Sequence, residues 1–124
     1  MTMLFKTLVR AEHLNHNQCL FGGYMLLWVD EYAFIAATEE FPSARFVTRA
    51  MEAAAFEESV SDGSILTFQL ERVHAGTTSV TYLVTVIATE VPGGTRRQVF
   101  QTKVTMCNVG PDGRKRPLPQ PRET

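Results

Sequence analysis

Two glycines and a carboxylate are residue types that could between them polarise a carbonyl group and attack it or activate water against it. Gly22 and Gly23 follow the polar run His13-Leu14-Asn15-His16-Asn17-Gln18-Cys19 and open a segment that reads as a helix over residues 23 to about 39. Amides in the first turn of a helix lack an intrahelical acceptor and carry partial positive charge, so they can hold an oxyanion, and glycine lets a ligand reach them. Asp30 lies seven residues on, on the same helical face and about 10 Å along the axis at about 1.5 Å per residue. A carboxylate there can act as a general base on water or as a nucleophile. The helix around it is apolar on nearly every side, which predicts burial, and a buried carboxylate costs free energy unless it is paired. In a purely structural role Asp30 would cap or pair with Arg45 or Arg49; Glu31 points elsewhere and is the weaker candidate. One carbonyl cannot touch both Gly23 and Asp30 of the same chain. Two helices meeting antiparallel across a dimer interface would bring Gly23 of one copy toward Asp30 of the other.

The elements that must position these residues follow from periodicity. Residues 4–10 mix β-branched and apolar side chains and read as a first strand, and residues 11–20 as a loop. On the helix, Met25, Trp28, Val29, Tyr32, Ile35 and Ala36 recur on one face, with Leu26, Leu27 and Phe34 on the other; Phe41, standing before Pro42, ends it. Residues 45–58 have alanines that favour helix and Phe46, Val47, Thr48 and Phe56 that favour strand; context favours strand. Leu66, Phe68 and Leu70, then Val80, Tyr82, Val84 and Val86, then Phe100, Val104 and Met106 mark three further strands, separated by the turns Ser61-Asp62-Gly63-Ser64, His74-Ala75-Gly76-Thr77-Thr78 and Pro92-Gly93-Gly94-Thr95. Four of the six prolines and the run Arg114-Lys115-Arg116 fall in residues 111–124, which read as a Pro-rich basic tail after a single domain over residues 1–110. One long apolar helix with strands on either side predicts an α+β domain, a curved antiparallel sheet wrapped around that helix. Its uncovered edge invites a second copy, so a homodimer is the smallest expected assembly.

The 124 residues suffice for one core without metals or disulfides. Twelve basic against thirteen acidic side chains, net charge -1, exclude a general attraction to nucleic acid or to an anionic membrane. No run has the length of a membrane span, and the first ten residues lack the apolar core of a signal peptide. Cys19 and Cys107 are too few for a disulfide framework, so a cytoplasmic protein is the expectation. The histidines show no zinc-ligand spacing, and no metal site is expected.

The pieces Asn15-His16-Asn17-Gln18-Cys19-Leu20-Phe21-Gly22-Gly23, Trp28-Val29-Asp30, Thr48-Arg49-Ala50-Met51-Glu52 with Phe56, Gly76-Thr77-Thr78-Ser79-Val80, Pro111-Asp112-Gly113-Arg114 and Pro117-Leu118-Pro119, in that order and spacing, resemble the hotdog-fold thioesterases, in particular their acyl-CoA hydrolase branch. The resemblance implies the hotdog fold and hydrolysis of acyl-CoA by a dimer or a trimer of dimers, with no cofactor beyond the CoA of the substrate. It assigns the Gly23 amide, with Gly22 beside it, to the carbonyl oxygen. It assigns Asp30 of the partner subunit to water or to direct attack, and the Thr48 hydroxyl to placing that water. Asn15 and Asn17 could bind water or the thioester, or simply hold turns. Gly76, Thr77, Thr78 and Ser79 match the turn over which CoA lies, and Arg114, with Lys115 and Arg116, could pair with its phosphates. Cys19 departs from the pattern, because many acyl-CoA hydrolases carry Asp or Asn there. A thiol is not a base at neutral pH unless its pKa is lowered. Cys19 is therefore read as a small unreactive thiol, or as a nucleophile with His13 or His16 as base. The departure also motivates an alternative function, a non-catalytic acyl-CoA binding or regulatory module. A third reading, a hotdog dehydratase or isomerase, finds no catalytic histidine on the helix.

Overall fold

The structure, a computed structural model, describes residues 2–123. Strand β1 (Thr2–Leu8) leads through a short 3-10 turn (Ala11–His13) to the helix α1 (Gly22–Glu40), followed by β2 (Phe46–Phe56), β3 (Ile65–Ala75), β4 (Ser79–Thr89) and β5 (Arg96–Asn108). The strands form one sheet in the order β1-β3-β4-β5-β2, and every neighbouring pair is antiparallel. This is the curved sheet around one long helix expected of a hotdog fold. Register irregularities between Thr48 and Ala50 and between Glu52 and Ala55 in β2, between Arg72 and His74 in β3, and between Val86 and Ile87 in β4 help the sheet to curl.

Alternation decides which side of each strand faces the helix. Leu66, Phe68 and Leu70, Val80, Tyr82, Val84 and Val86, and Phe100, Val104 and Met106 are all fully buried on the inner face. α1 meets them with Met25, Trp28, Val29, Ala33, Ala36 and Ala37, the small residues lying in its second half. Each large apolar side chain so buried contributes about 1.5–3 kcal/mol relative to exposure. Aromatic rings tie β1 and β3 to the helix: Tyr32 stacks on Phe5 at 4.6 Å and packs on Phe68 at 4.9 Å, and the Tyr32 and Thr7 hydroxyls share a 2.5 Å hydrogen bond.

The two ends of α1 are treated differently. The last residue, Glu40, accepts a 2.5 Å hydrogen bond from the Tyr82 hydroxyl and pairs with Arg72 at 3.2 Å. Burial, reinforced by the Glu40 carboxylate, pushes the Tyr82 phenol far above its ordinary range. At the start, Phe21 occupies the cap position in an extended conformation and offers no side-chain acceptor. The Tyr24 amide donates to the Phe21 carbonyl at 3.0 Å, and the Gly22 and Gly23 amides have no acceptor among the described residues.

Three expectations are corrected. The first strand begins and ends two residues earlier than the composition suggests, because Thr2 pairs with Glu71 and Leu8 with Ile65. The helix is not covered all round: Gly23, Leu26, Leu27, Glu31 and Phe34 are exposed along one stripe, since a single sheet can cover only one side of it. The Pro-rich segment after residue 110 folds back on the domain. Leu118 donates to the Thr77 carbonyl at 2.8 Å, Asn108 Nδ2 donates to the Pro117 carbonyl at 2.9 Å, and Arg122 donates to the Glu40 carbonyl at 2.6 Å. Among the described residues no helix is long and apolar enough to cross a membrane.

Candidate active site

The stripe of α1 left open by the sheet carries the residues singled out for chemistry. Gly23 lies at its start, Asp30 is half-buried at its border, and Leu26 and Leu27, 37% and 54% exposed, stand between them. Alongside runs β2, an edge strand whose outer residues are exposed, among them Val47, Thr48 and Phe56. Thr48 Oγ1 donates a 2.5 Å hydrogen bond to Asp30 Oδ1. Asp30 forms no ion pair with Arg45 or Arg49 among the described residues. Its carboxylate is held by a hydroxyl, which orients one oxygen and leaves negative charge on the pair. A side chain on Gly23 would start 2.5 Å from the Phe21 ring, so only glycine keeps this approach clear without moving Phe21.

A cavity of about 450 Å³ opens at the helix start, lined by Asn15, Asn17, Cys19, Leu20 and Gly22 of the preceding loop and helix start and by Phe56, Glu57, Glu58 and Ser59 at the end of β2, with the buried Met25, Val60 and Val99 also facing it. Asn15 is committed to the loop. Its side-chain oxygen accepts from the Asn17 amide at 2.8 Å and from the Cys19 amide at 3.3 Å, and its own amide donates to the Cys19 carbonyl at 2.7 Å. Asn17 supplies the carbonyl that accepts from the Cys19 thiol at 3.6 Å. His13 does not serve the thiol: its Nδ1 accepts from the Arg10 amide at 2.9 Å and its ring packs edge-on against Tyr24 and Trp28. Glu57 and Glu58 were not singled out from the sequence. The only signal was two adjacent acids directly after a strand, which by itself reads as a solvated loop.

Gly76, Thr77, Thr78 and Ser79 form the β3–β4 turn, closed by a 2.8 Å bond from the Gly76 amide to the Ser79 carbonyl. Thr77 and Thr78 give their carbonyls to Leu118 and Asn108. Arg114 is exposed, and its amide is held by the Asp112 carboxylate at 3.0 Å. This turn lies at the Asn108 end of the sheet, beside the last turn of α1, whereas Gly22 and the cavity lie at the Phe56 and Val99 end. Within one chain the structure thus brings Asp30 to Thr48, and Asn15, Cys19 and Gly22 to one cavity. It keeps Gly23 a helical span away from Asp30 and the Gly76 turn at the far end.

The family model described as thioesterase superfamily matches residues 17–93, which include the Gly22-Gly23 helix start, Asp30, Thr48 and the Gly76 turn. Acyl-CoA thioester hydrolase YciA of Salmonella typhimurium is 30% identical over 120 residues, 94% of this chain and 90% of the relative. The hexameric hotdog fold thioesterase of Campylobacter jejuni is 31% identical, with a TM-score of 0.84 over 93% of this chain and 88% of that one. A hexameric broad specificity acyl-coenzyme A thioesterase, in the form of an Asp-to-Ala mutant enzyme, is 28% identical, with a TM-score of 0.88 over 94% and 86%. With the fold, the uncapped glycine helix start and these likenesses in agreement, the chain belongs to the thioesterase superfamily.

Proposed function

We propose that this protein hydrolyses acyl-CoA to free acid and CoA at a site shared by two copies of the chain. One observation carries the reading: Gly23 and Asp30 stand on the same uncovered stripe of α1, with exposed Leu26 and Leu27 midway between them. A two-fold axis crossing α1 at those leucines sets Gly23 of one copy level with Asp30 of the partner subunit. The same axis suits the edge strand. A side chain on Gly22 would meet the Phe56 ring, and Asp30 is bonded to Thr48. An axis that exchanges helix positions 22 and 30 therefore exchanges strand positions 56 and 48, crossing β2 near Glu52. One symmetry operation covers the apolar stripe and pairs the open edge. A dimer is the minimum assembly, and the hexameric state of the related thioesterases supports a trimer of dimers.

The chemistry follows from this placement. The acyl carbonyl oxygen accepts from the uncapped Gly23 amide, whose hydrogen is already aimed where negative charge develops. Asp30 of the partner subunit, steadied by Thr48, takes a proton from the attacking water; direct attack by the carboxylate is the variant path. The C–S bond breaks, CoA leaves as thiolate and is protonated, and the acid departs. Asn15 holds the loop that walls the thioester. An antiparallel partner also brings its own Gly76 turn to the helix start, where the turn supports the pantetheine and Arg114 meets phosphate. The scheme uses no metal and no cofactor beyond the CoA of the substrate.

Complementation tests the shared site. Asp30→Asn and Gly23→Val proteins, each impaired with its assembly intact, are mixed under conditions that exchange subunits, and free thiol is followed with a panel of acyl-CoAs. About one quarter of the parent turnover should return, because half of randomly formed dimers are mixed and one site in two is then intact. No recovery places both groups in one chain and refutes the arrangement. Tight acyl-CoA binding by the parent without thiol release refutes hydrolysis and favours a binding module.

A further inference from the structure

The cavity beneath Gly22 is chemically lopsided. The buried Met25, Val60 and Val99 with half-buried Leu20 make an apolar floor, whereas the exposed Glu57 and Glu58 put two carboxylates on the rim, and among the described residues no lysine or arginine lines it. The two acids are not equivalent. Glu58 has the Arg97 guanidinium at 3.0 Å, a cation it shares with Glu90. Glu57 receives only a neutral donor, Gln98 Nε2 at 2.9 Å on Oε1, and its backbone is pinned to the sheet by a 2.9 Å bond from its amide to the Val99 carbonyl. Its charge is therefore fixed in place and uncompensated.

CoA is polyanionic, so its nucleotide end is repelled by such a rim, while the apolar floor suits a hydrocarbon chain. A volume of about 450 Å³ falls in the lower half of the range of small-molecule pockets. Resting on the thioesterase reading above, we infer that this cavity receives the acyl group and that Glu57 sets its specificity. Uncharged short acyl chains enter, and acyl groups ending in a carboxylate are turned away. Gln98 is the positioning residue that keeps the Glu57 carboxylate on the rim.

Butyryl-CoA and succinyl-CoA test this, because they carry four-carbon acyl groups that differ in the terminal carboxylate. The quantity read is the ratio of their kcat/KM values in the parent, in Glu57→Gln and in Glu57→Lys. Glutamine retains size and can still bond Gln98, and position 57 is exposed, so folding is not at risk. The parent should favour butyryl-CoA. Glu57→Gln should move the ratio about tenfold toward succinyl-CoA, the size of one like-charge contact partly screened by solvent, and Glu57→Lys about a further tenfold. Butyryl-CoA turnover is the reference within each variant, so a general loss of rate cancels from the ratio. A ratio unmoved in both variants, with butyryl-CoA still hydrolysed, overturns the role of Glu57 and leaves the thioesterase reading standing. Failure of the parent on both compounds, with another acyl-CoA of the panel still hydrolysed, overturns the inference about the cavity alone; failure on every acyl-CoA of the panel overturns both.

Discussion

Replacing Thr48 with valine removes one oxygen and nothing else of consequence to shape. The lost group is the hydroxyl that donates to Asp30 Oδ1 at 2.5 Å. Valine suits a strand, and position 48 is exposed in the single chain, so the fold should tolerate the change. A hydrogen bond to a charged acceptor is worth about 1.5–3 kcal/mol. If the bond matters by aiming the carboxylate at water, that energy is lost from the transition state, and kcat falls by about 10- to 150-fold at about 1.4 kcal/mol per decade. KM should move little if the hydroxyl acts only through Asp30, its hydrogen-bond partner. The assay is initial-rate release of free thiol, with sedimentation to verify that assembly is unchanged. Thr48→Val introduced into Asp30→Asn supplies the decisive comparison: with the carboxylate already gone, the second substitution should cost less than threefold. Full activity in Thr48→Val, or costs that simply multiply in the double variant, would refute the coupling of these two side chains.

Other consequences are equally open to measurement. Leu27→Glu puts two charges into a symmetric contact and removes two leucines, each worth about 1.5–3 kcal/mol of burial, so the dimer should weaken by about 10²- to 10⁴-fold in sedimentation and thiol release should fall with it. Tyr82→Phe removes the donor to Glu40 and should lower stability by about 1–2 kcal/mol at neutral pH in denaturant titrations. The pH dependence of that difference has a fixed sign. The folded phenol stays protonated above about pH 10, where the unfolded one releases its proton, so the unfolded state binds fewer protons and stability falls as pH rises. The advantage of the parent over Tyr82→Phe should therefore shrink by about 1.4 kcal/mol per unit above pH 10, and a constant gap would refute it.

Alternation made β3, β4 and β5 legible, because Phe68, Tyr82 and Phe100 each sit in a period-two pattern that only one face of a sheet can satisfy. The helix was legible as a helix, but its surroundings were not. Leu26, Leu27 and Phe34 are as apolar as Met25 and Val29, and hydrophobicity alone does not say whether a side chain is covered by its own sheet or by another molecule. Asp30 and Thr48 were each visible as candidates, yet their contact is made between a helix and a strand eighteen residues apart and depends on how the two elements cross. Glu57 drew no notice, since its importance comes from the far wall of the cavity, built by Asn15 and Cys19. The folding back of the Pro-rich end was hidden for another reason: it is held largely by backbone groups, which every residue possesses.

The uncovered stripe of α1 also has a meaning for the life of the chain. If its greasy side is at once the adhesive between twins and the wall of their shared workplace, a newly made copy is inert until it meets another. Output per molecule then falls on dilution, and the amount of protein present acts as its own threshold, with no dedicated regulator required.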